Sequence, residues 1–141
     1  MSLAIKSQGT LFEIEALPIG SGSWTAIAEV QSIPASGGQA PEIDVTHLRS
    51  TGKEYLLGLP DYGSVQIAGN YLGVGVDAGQ TMVRARYLDQ APCQFRMTLS
   101  DTGTTQQTFT ALVQSFDIAV TPDSKVDLSF TLRRTGADVI A

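Results

Sequence analysis

Alternating apolar and polar positions run along much of this chain and predict a protein built mostly of β-strands. Residues 93–100 (CQFRMTLS) and 125–134 (KVDLSFTLRR) alternate almost without a break. Residues 10–17 (TLFEIEAL) do the same, and their Glu13 and Glu15 are predicted to point outward as a solvated pair. A period of two is typical of strands with one buried and one wet face.

Three further runs complete the predicted strands. Residues 24–33 (WTAIAEVQSI) are predicted to form a single strand that pairs with the first one as a hairpin. Residues 64–73 form another strand, in which Gly69 indicates a bulge or a close backbone approach. Within residues 107–120 the apolar positions change phase at Gln114–Ser115, which predicts a β-bulge.

One helix is predicted, over residues 78–91 (AGQTMVRARYLDQA), with Asp77 as its N-cap and Pro92 after its end. Its apolar residues do not form a single stripe, so we expect the helix to be covered on two sides. One side is expected to pack on the sheet of its own chain, and Val83 and Tyr87 are expected to meet a neighbouring subunit.

Residues 34–63 form a long segment without a clear long element, although residues 43–48 (IDVTHL) resemble a short strand. A loop of this length inside a compact domain is normally functional or disordered. Its second half (STGKEYLLGLPDYGS) combines turn-forming glycines with a large apolar surface, which argues against permanent disorder. We therefore expect this loop to contact another subunit through a set of apolar side chains. These are Tyr55, Leu56, Leu57, Leu59 and Tyr62.

Composition narrows the classes of function. Of the 141 residues 43% are hydrophobic and only 16% are charged, and the net charge is −5. An acidic chain with scattered basic residues does not suit direct gripping of nucleic acid. The single cysteine excludes an internal disulfide. The first residues are too polar for a secretion signal and no run is long enough to span a membrane, so we expect synthesis in a cytoplasm.

Candidate catalytic and metal-binding residues are few. His47 is expected to be a loop histidine with local hydrogen bonds, and Cys93 is expected to be a small core residue. The glycines of GVGVDAGQ, before the helix, lack the Gly-Lys-Ser/Thr of a phosphate loop. We expect no metal, no cofactor and no enzymatic activity.

These elements predict a mainly β fold: an antiparallel β-sandwich or flattened barrel with one packed α-helix and a long assembly loop. We expect a single domain over residues 1–141. Residues 1–9 are expected to form an N-terminal arm and residues 135–141 a C-terminal tail.

Four segments in order resemble the tail tube proteins (major tail proteins) of long-tailed bacteriophages. They are IDVTHLRSTGKEYLLGLPDYGSVQIAGNYLG, GQTMVRARYLDQAP, FRMTL and LSFTLRRTG. The resemblance covers most of residues 10–136. It also extends in fold to the tube proteins of contractile tails and of type VI secretion systems. The chain departs from longer members of the family, since it lacks their C-terminal immunoglobulin-like domain.

The resemblance implies a structural protein of the virion tail, made in the cytoplasm of a bacterial host. Such proteins form hexameric rings that stack into a hollow tube, with the long loop ordering on an adjacent subunit or ring. The implied partners are other copies of the chain, a tape-measure protein, and the tail terminator and baseplate or tail-tip proteins. DNA passes through the tube without specific binding, and no membrane is involved.

A polar strand face could line the lumen of such a tube, although antiparallel sheets often face water for no special reason. The candidates are Gln94, Arg96, Thr98, Lys125, Asp127, Ser129, Thr131 and Arg133. Two other functions remain open from the sequence. One is a tail terminator or another minor tail protein, and the other is a carbohydrate-binding β-sandwich, for which exposed aromatic residues are scarce.

Overall fold

The computed structural model describes residues 2–34 and 38–141. Met1 of the predicted arm and residues 35–37 of the predicted loop lie outside this range. The helix is α1 (Ala78–Asp89). The strands are β1 (Leu11–Glu15), β2 (Trp24–Ala26), β3 (Val30–Ser32), β4 (Glu42–Asp44), β5 (Tyr55–Leu57), β6 (Ser64–Asn70), β7 (Cys93–Thr98), β8 (Gln106–Ala119), β9 (Asp127–Arg134) and β10 (Val139–Ile140).

One antiparallel sheet runs through most of the chain in the order β2-β1-β7-β8-β9-β6-β3, and β10 pairs with β8. The long strand β8 belongs to two halves of this sheet, because its first part pairs with β7 and its second part with β9. The fold is mainly β with one helix, as predicted. Within the described residues the sheet does not close into a barrel, so the sandwich is the correct alternative.

The predicted bulge is present in β8. Val113 pairs with Leu132 and Ser115 pairs with Thr131, so one residue of β8 is left without a partner on β9. The extra residue restores Phe116 to the core side, where its ring stacks on Phe130 with centroids 6.5 Å apart. The shift in hydrophobic phase therefore has a direct structural cause.

The core lies between the two halves of the sheet. Phe12, Phe95 and Phe109 come from one half, and their ring centroids are 5.7 to 6.4 Å apart. The other half contributes a second group of buried residues to the same cluster. These are Val65, Ile67, Leu128, Phe130 and Leu132. Cys93 is fully buried here, as predicted, and burial raises the pKa of its thiol to about 12.

The predicted strand over 24–33 is wrong in one respect, because it is two strands. β2 pairs with β1, as the predicted hairpin requires, but β3 pairs with β6 at the other end of the sheet. The chain turns between them at Glu29, whose φ of 55° is left-handed. Gly69 of β6 makes the predicted close approach: a Cβ there would lie 2.5 Å from the Glu29 carbonyl oxygen.

The start of α1 is fixed against this corner. Asp77 is the N-cap, as predicted, and its carboxylate accepts from the Gln80 amide at 3.0 Å and from the Ala28 amide at 3.2 Å. The buried Gln80 side chain donates to the carbonyl oxygens of Ala28 and Asn70, and it accepts from the Leu72 amide. The helix end, the β2–β3 corner and the end of β6 are thereby joined through one side chain.

The prediction that Glu13 and Glu15 form a solvated pair is wrong. Glu13 forms an ion pair with Arg96, and the buried Glu15 accepts from the amides of Gly20 and Gly22. In each case a polar partner holds a carboxylate that the alternating pattern alone places in solvent. The residues of the predicted C-terminal tail include the short strand β10, which pairs with β8.

Candidate assembly surfaces

The predicted loop contains a small second sheet. β4 and β5 pair as an antiparallel hairpin, with Ile43 opposite Leu56. We call residues 38–63 the hairpin segment. The turn of the hairpin is held by polar contacts among its own residues. The Ser50 hydroxyl donates to the Glu54 carboxylate at 2.6 Å, and the Glu54 amide donates to the Thr46 hydroxyl at 2.9 Å.

His47 lies in this turn and makes the local contacts that were predicted for it. Its Nδ1 accepts from the Arg49 amide at 3.2 Å, and its Nε2 lies 3.5 Å from a Glu54 carboxylate oxygen. Among the described residues no group of three or more histidine, cysteine, aspartate or glutamate side chains could hold a metal ion. These contacts assign His47 to the scaffold of the turn.

The apolar side chains of the hairpin segment are strongly exposed. Leu57 is 71% exposed and Leu59 is 90% exposed, and Tyr55, Leu56 and Ile43 are each about half exposed. Monomeric proteins rarely expose contiguous apolar surface of this kind outside binding sites. The structure thus brings four of the five predicted loop contacts together on one projecting element.

The base of the hairpin segment is attached to the sheet by polar contacts. The Asp61 carboxylate accepts from the Gly63 amide at 2.9 Å and forms an ion pair with Arg133 at 2.9 Å. The hydrogen bond from Gly63 lowers the pKa of the Asp61 carboxyl, and the hydrogen bond and charge of Arg133 lower it further. Tyr62, the fifth predicted loop contact, is half-buried beside Arg134, so only part of its ring is available to a neighbour.

The prediction that Val83 contacts a neighbouring subunit is wrong. Val83 is 0% exposed and belongs to the core of its own chain. Tyr87, the other residue predicted on that side of α1, is 36% exposed, and the adjacent Leu88 is 68% exposed. Any apolar surface that α1 offers therefore lies at its C-terminal end.

The predicted polar face of β9 is intact. Ser129 and Thr131 are half-buried and Arg133 is exposed, all on the side of the sheet away from the core. Ser129 accepts from the side chain of Gln66 on β6, at 3.0 Å. Asp127 forms an ion pair with Lys125 just before the strand. These contacts between neighbouring side chains hold Ser129 and Asp127 in place, and the polar face of β9 still exposes polar atoms to solvent.

The polar face of β7 is less open than predicted. Gln94 is half-buried, and Arg96 is held between the Glu13 carboxylate at 3.0 Å and the Trp24 ring at 4.4 Å. Thr98 is only 9% exposed, and its hydroxyl donates to Glu13, so the prediction that it faces a lumen is wrong. Tryptophan stacked in this way does not present the open aromatic platform that a carbohydrate site needs.

Arg134 is a buried charge that the sequence analysis missed. Its guanidinium lies 5.0 Å above the Phe109 ring and 5.7 Å from the Tyr62 ring. It forms an ion pair with Asp138 at 3.2 Å, and the other Asp138 oxygen accepts from Gln107 at 2.6 Å. Alternation along β9 could have predicted its burial, because Arg134 follows Leu128, Phe130 and Leu132 at every second position on the inward face. This contact fastens the C-terminal residues onto β8.

No family model and no curated protein sequence matches the chain, but several solved structures share its fold. A protein from the tail of an empty GTA particle, refined with C6 symmetry, has a TM-score of 0.76 at 22% identity, over 98% of this chain and 99% of the other. A protein of the SPP1 tail tube has a TM-score of 0.73 at 17% identity, over 97% of this chain and 78% of the other. One in the six-fold symmetrised baseplate of the anti-feeding prophage reaches 0.72 at 13% identity, over 100% and 97%.

These comparisons establish the class of fold. The chain has the fold of tail tube proteins, as the sequence resemblance implied. The helix α1 is too short and too polar to cross a membrane, and the described residues contain no other helix that could.

Proposed function

We propose that this chain is the subunit of a tail tube, a structural protein whose identical copies close into hexameric rings that stack into a hollow tail. The observation that carries the proposal is the exposed hairpin segment, with apolar side chains that its own chain leaves uncovered. The shared fold supports it, because similar chains come from a C6-symmetric tail and from a tail tube. The role is structural and non-enzymatic.

The hairpin segment supplies enough apolar surface to offset the cost of ordering it on a neighbour. Fully burying a leucine side chain contributes about 1.5–3 kcal/mol. Leu56, Leu57 and Leu59 together would contribute roughly 5–9 kcal/mol on the same scale. Ordering several residues in a loop costs about 1–2 kcal/mol for each of them. Because the two totals are similar, the segment orders on a neighbour more readily than by itself.

A ring requires each copy to present two different surfaces that fit each other. The exposed residues Tyr55, Leu56, Leu57 and Leu59, with the open part of Tyr62, form the first surface. A ring closed in this way also covers strand edges that are an aggregation hazard on an isolated chain. Tyr87 and Leu88 at the end of α1 add a smaller apolar surface for contact between copies or rings.

The polar face of β9 is the proposed lining of the lumen, with Asp127, Ser129, Thr131 and Arg133 and the adjacent Lys125. Gln94 and Arg96 of β7 lie on the opposite outer face of the sandwich, because the core lies between the two halves of the sheet, and they are the alternative lining. Six copies of a chain with a net charge of −5 carry −30 per ring. The net negative charge of the ring opposes DNA binding. The basic residues of the proposed lining are paired, Lys125 with Asp127 and Arg133 with Asp61, which suits passage without specific binding. The partners proposed for the tube are a tape-measure protein inside it, and terminator and baseplate or tail-tip proteins at its ends. The chain would be made in the cytoplasm of a bacterial host and reside in the virion tail.

A second candidate function is another component of the same tail, such as a terminator or a baseplate ring. The similarity to a protein in a six-fold baseplate favours it. The two functions differ in what the purified protein does. A tube subunit polymerises into extended filaments, whereas a terminator or baseplate subunit stops at a single ring.

Electron microscopy of concentrated protein tests the proposal, with Leu56→Asp/Leu57→Asp as the disrupting variant. We expect hollow filaments from the unchanged chain and folded monomers from the variant, because two carboxylates replace the apolar contact. The matched control is Val139→Asp/Ile140→Asp, an adjacent exposed pair in the short strand β10. It should still give filaments. Normal filaments from the Leu56/Leu57 variant, or no assembly of the unchanged chain, would contradict the proposal.

A further inference from the structure

An open groove of about 710 Å³ lies between the N-terminal arm and strand β3. Residues 5–10 line one side and residues 30–33 line the other. The buried core residues Phe12 and Ile27 reach its lining, together with the half-buried Met97. A cavity of this size and apolar character is typical of a binding site. The groove is thus a gap in the side of the sandwich that leads to the core.

Strand β3 forms a wall of the groove and has an open edge. It is the last strand of the main sheet, and among the described residues it pairs only with β6. Strand β5 of the hairpin has the same property, since in the described chain it pairs only with β4. Both strands have three residues. An extended segment can add to an exposed sheet edge through main-chain hydrogen bonds and place alternate side chains in pockets.

We propose that β5 of one copy lies along the open edge of β3 in a second copy and places its apolar side chains in the groove. The inference rests on the proposed function and identifies the second surface that a ring requires. Leu57 and Tyr55 lie on one face of β5 and Leu56 on the other. On the hairpin, Leu57 and Tyr55 share their face with Glu42 and Asp44 of β4, whereas Leu56 shares its face with Ile43. The Leu56 face is therefore the apolar one, and it is the face that meets the apolar lining of the groove.

The charges beside the two surfaces are also complementary. Lys53 and Glu54 directly precede β5, and Lys6 and Glu29 belong to the lining of the groove. The Glu54 carboxylate is already bound by Ser50 and His47 in its own turn, so the pair that a neighbouring copy can form is Lys53 with Glu29. Complementary charges fix the register of an interface more than they raise its affinity.

One other cavity competes for the hairpin. It has a volume of about 180 Å³ and is lined by Tyr71, Val74 and Phe116, next to the first turns of α1. Val74 is strongly exposed there. This cavity has about a quarter of the volume of the groove, so the groove is the better site for the side chains of β5. The smaller cavity serves as the defined alternative in the test.

Disulfide trapping between two single-cysteine variants tests the inference under filament-forming conditions. Leu56→Cys is mixed with Ser32→Cys, which lines the groove, or with Val74→Cys at the competing cavity. Cys93 stays in place, because burial keeps it a protonated and inaccessible thiol. We expect the Leu56→Cys and Ser32→Cys mixture to give at least tenfold more disulfide-linked dimer than either variant alone or than the Val74→Cys mixture.

The outcomes separate this inference from the proposed function. A disulfide-linked dimer with Val74→Cys, or filaments that give no disulfide with either partner, would contradict the proposal that the groove binds β5. Neither result would contradict the proposal that the chain is a tube subunit. No assembly of the unchanged chain would overturn both. A second variant, Ser32→Trp, fills the groove and is expected to lower filament yield at least tenfold. Ser21→Trp, in the exposed turn between β1 and β2 and outside the groove lining, is its control and should assemble normally.

Discussion

In the core of the sandwich Phe95 and Leu132 have no exposed surface, whereas Leu57 and Leu59 of the hairpin segment are 71% and 90% exposed. Both regions contain large apolar side chains, which are buried in the core and exposed to solvent in the hairpin segment. Core side chains gain their stabilisation within one chain. The hairpin side chains are left exposed by their own chain, and in the proposed assembly they gain theirs from another molecule. The comparison shows that hydrophobic content alone does not distinguish a residue that folds the subunit from one that assembles it.

Hydrogen exchange is expected to show the largest difference between the two regions. Amides in β7 and β8 should open only with global unfolding, which costs about 5–15 kcal/mol in typical domains. Amides of residues 42–57 should exchange faster by several orders of magnitude in the monomer, since their hydrogen bonds lie within an isolated exposed hairpin. Mass spectrometry of monomeric protein measures both. Strong protection of residues 50–63 in the monomer would show that the segment is ordered without a neighbour.

Truncating one apolar side chain in each region gives the next largest contrast. Phe95→Ala is expected to lower the free energy of unfolding by about 3–5 kcal/mol, because it opens a cavity in the core. Leu57→Ala should change it by less than about 0.5 kcal/mol, since the side chain is already in solvent. Urea denaturation of monomeric protein measures both values. A large loss for Leu57→Ala would mean that the hairpin segment packs on its own chain.

Gln80→Ala tests how much the hydrogen bonds of one buried side chain stabilise the sandwich. The side chain is 3% exposed and bonds to three backbone groups of other segments. Leaving buried backbone groups unpaired costs about 1–3 kcal/mol each, and water entering the gap recovers part of this. We expect a loss of about 2–3 kcal/mol in the free energy of unfolding. Gln90→Ala, at the exposed end of α1, is the control and should cost much less.

The strands and helix of the sandwich were predicted from the sequence better than the hairpin segment was. The strands β7 and β9 have one buried and one wet face, and the N-cap at Asp77 has a local chemical signature. The separation of β2 from β3 depends on a left-handed φ at Glu29. Only a glycine would have indicated such a φ from the sequence, so the turn was not predicted. Strands β4 and β5 are too short for a period of two to emerge. Their pairing is set by contacts between residues more than ten apart.

The candidate site was predicted in part. Exposed apolar residues among glycines marked the hairpin segment, but the sequence could not show which face of α1 meets the core. Val83 and Tyr87 lie four residues apart, on the same side of the helix, yet only Tyr87 reaches the surface. Helical spacing places two residues on one face, whereas the depth of each depends on where the sheet ends beneath the helix.

The smallest expected effect concerns the C-terminal contact at Asp138, which ties the residues before the short strand β10 to Arg134 by charge. The hydrogen bond from Gln107, and to a lesser extent Arg134, lowers the pKa of the Asp138 carboxyl below its ordinary value of 3.8. A carboxyl whose pKa is lower in the folded state stabilises the fold above its unfolded pKa. That contribution is lost as the pH falls through the folded pKa.

The free energy of unfolding should therefore decrease as the pH falls from 5 towards 2, and Asp138→Asn should make this decrease smaller. Urea denaturation across that range measures the difference, which we expect to be below about 1 kcal/mol because Asp138 is partly exposed to solvent. Other carboxyls with lowered pKa values, such as Asp61 and Asp101, act in the same direction and remain in both proteins. Gln107→Ala removes the main cause of the shift and should flatten the profile as Asp138→Asn does. Equal acid sensitivity in all three proteins would show that β10 is held by its backbone pairing with β8 alone.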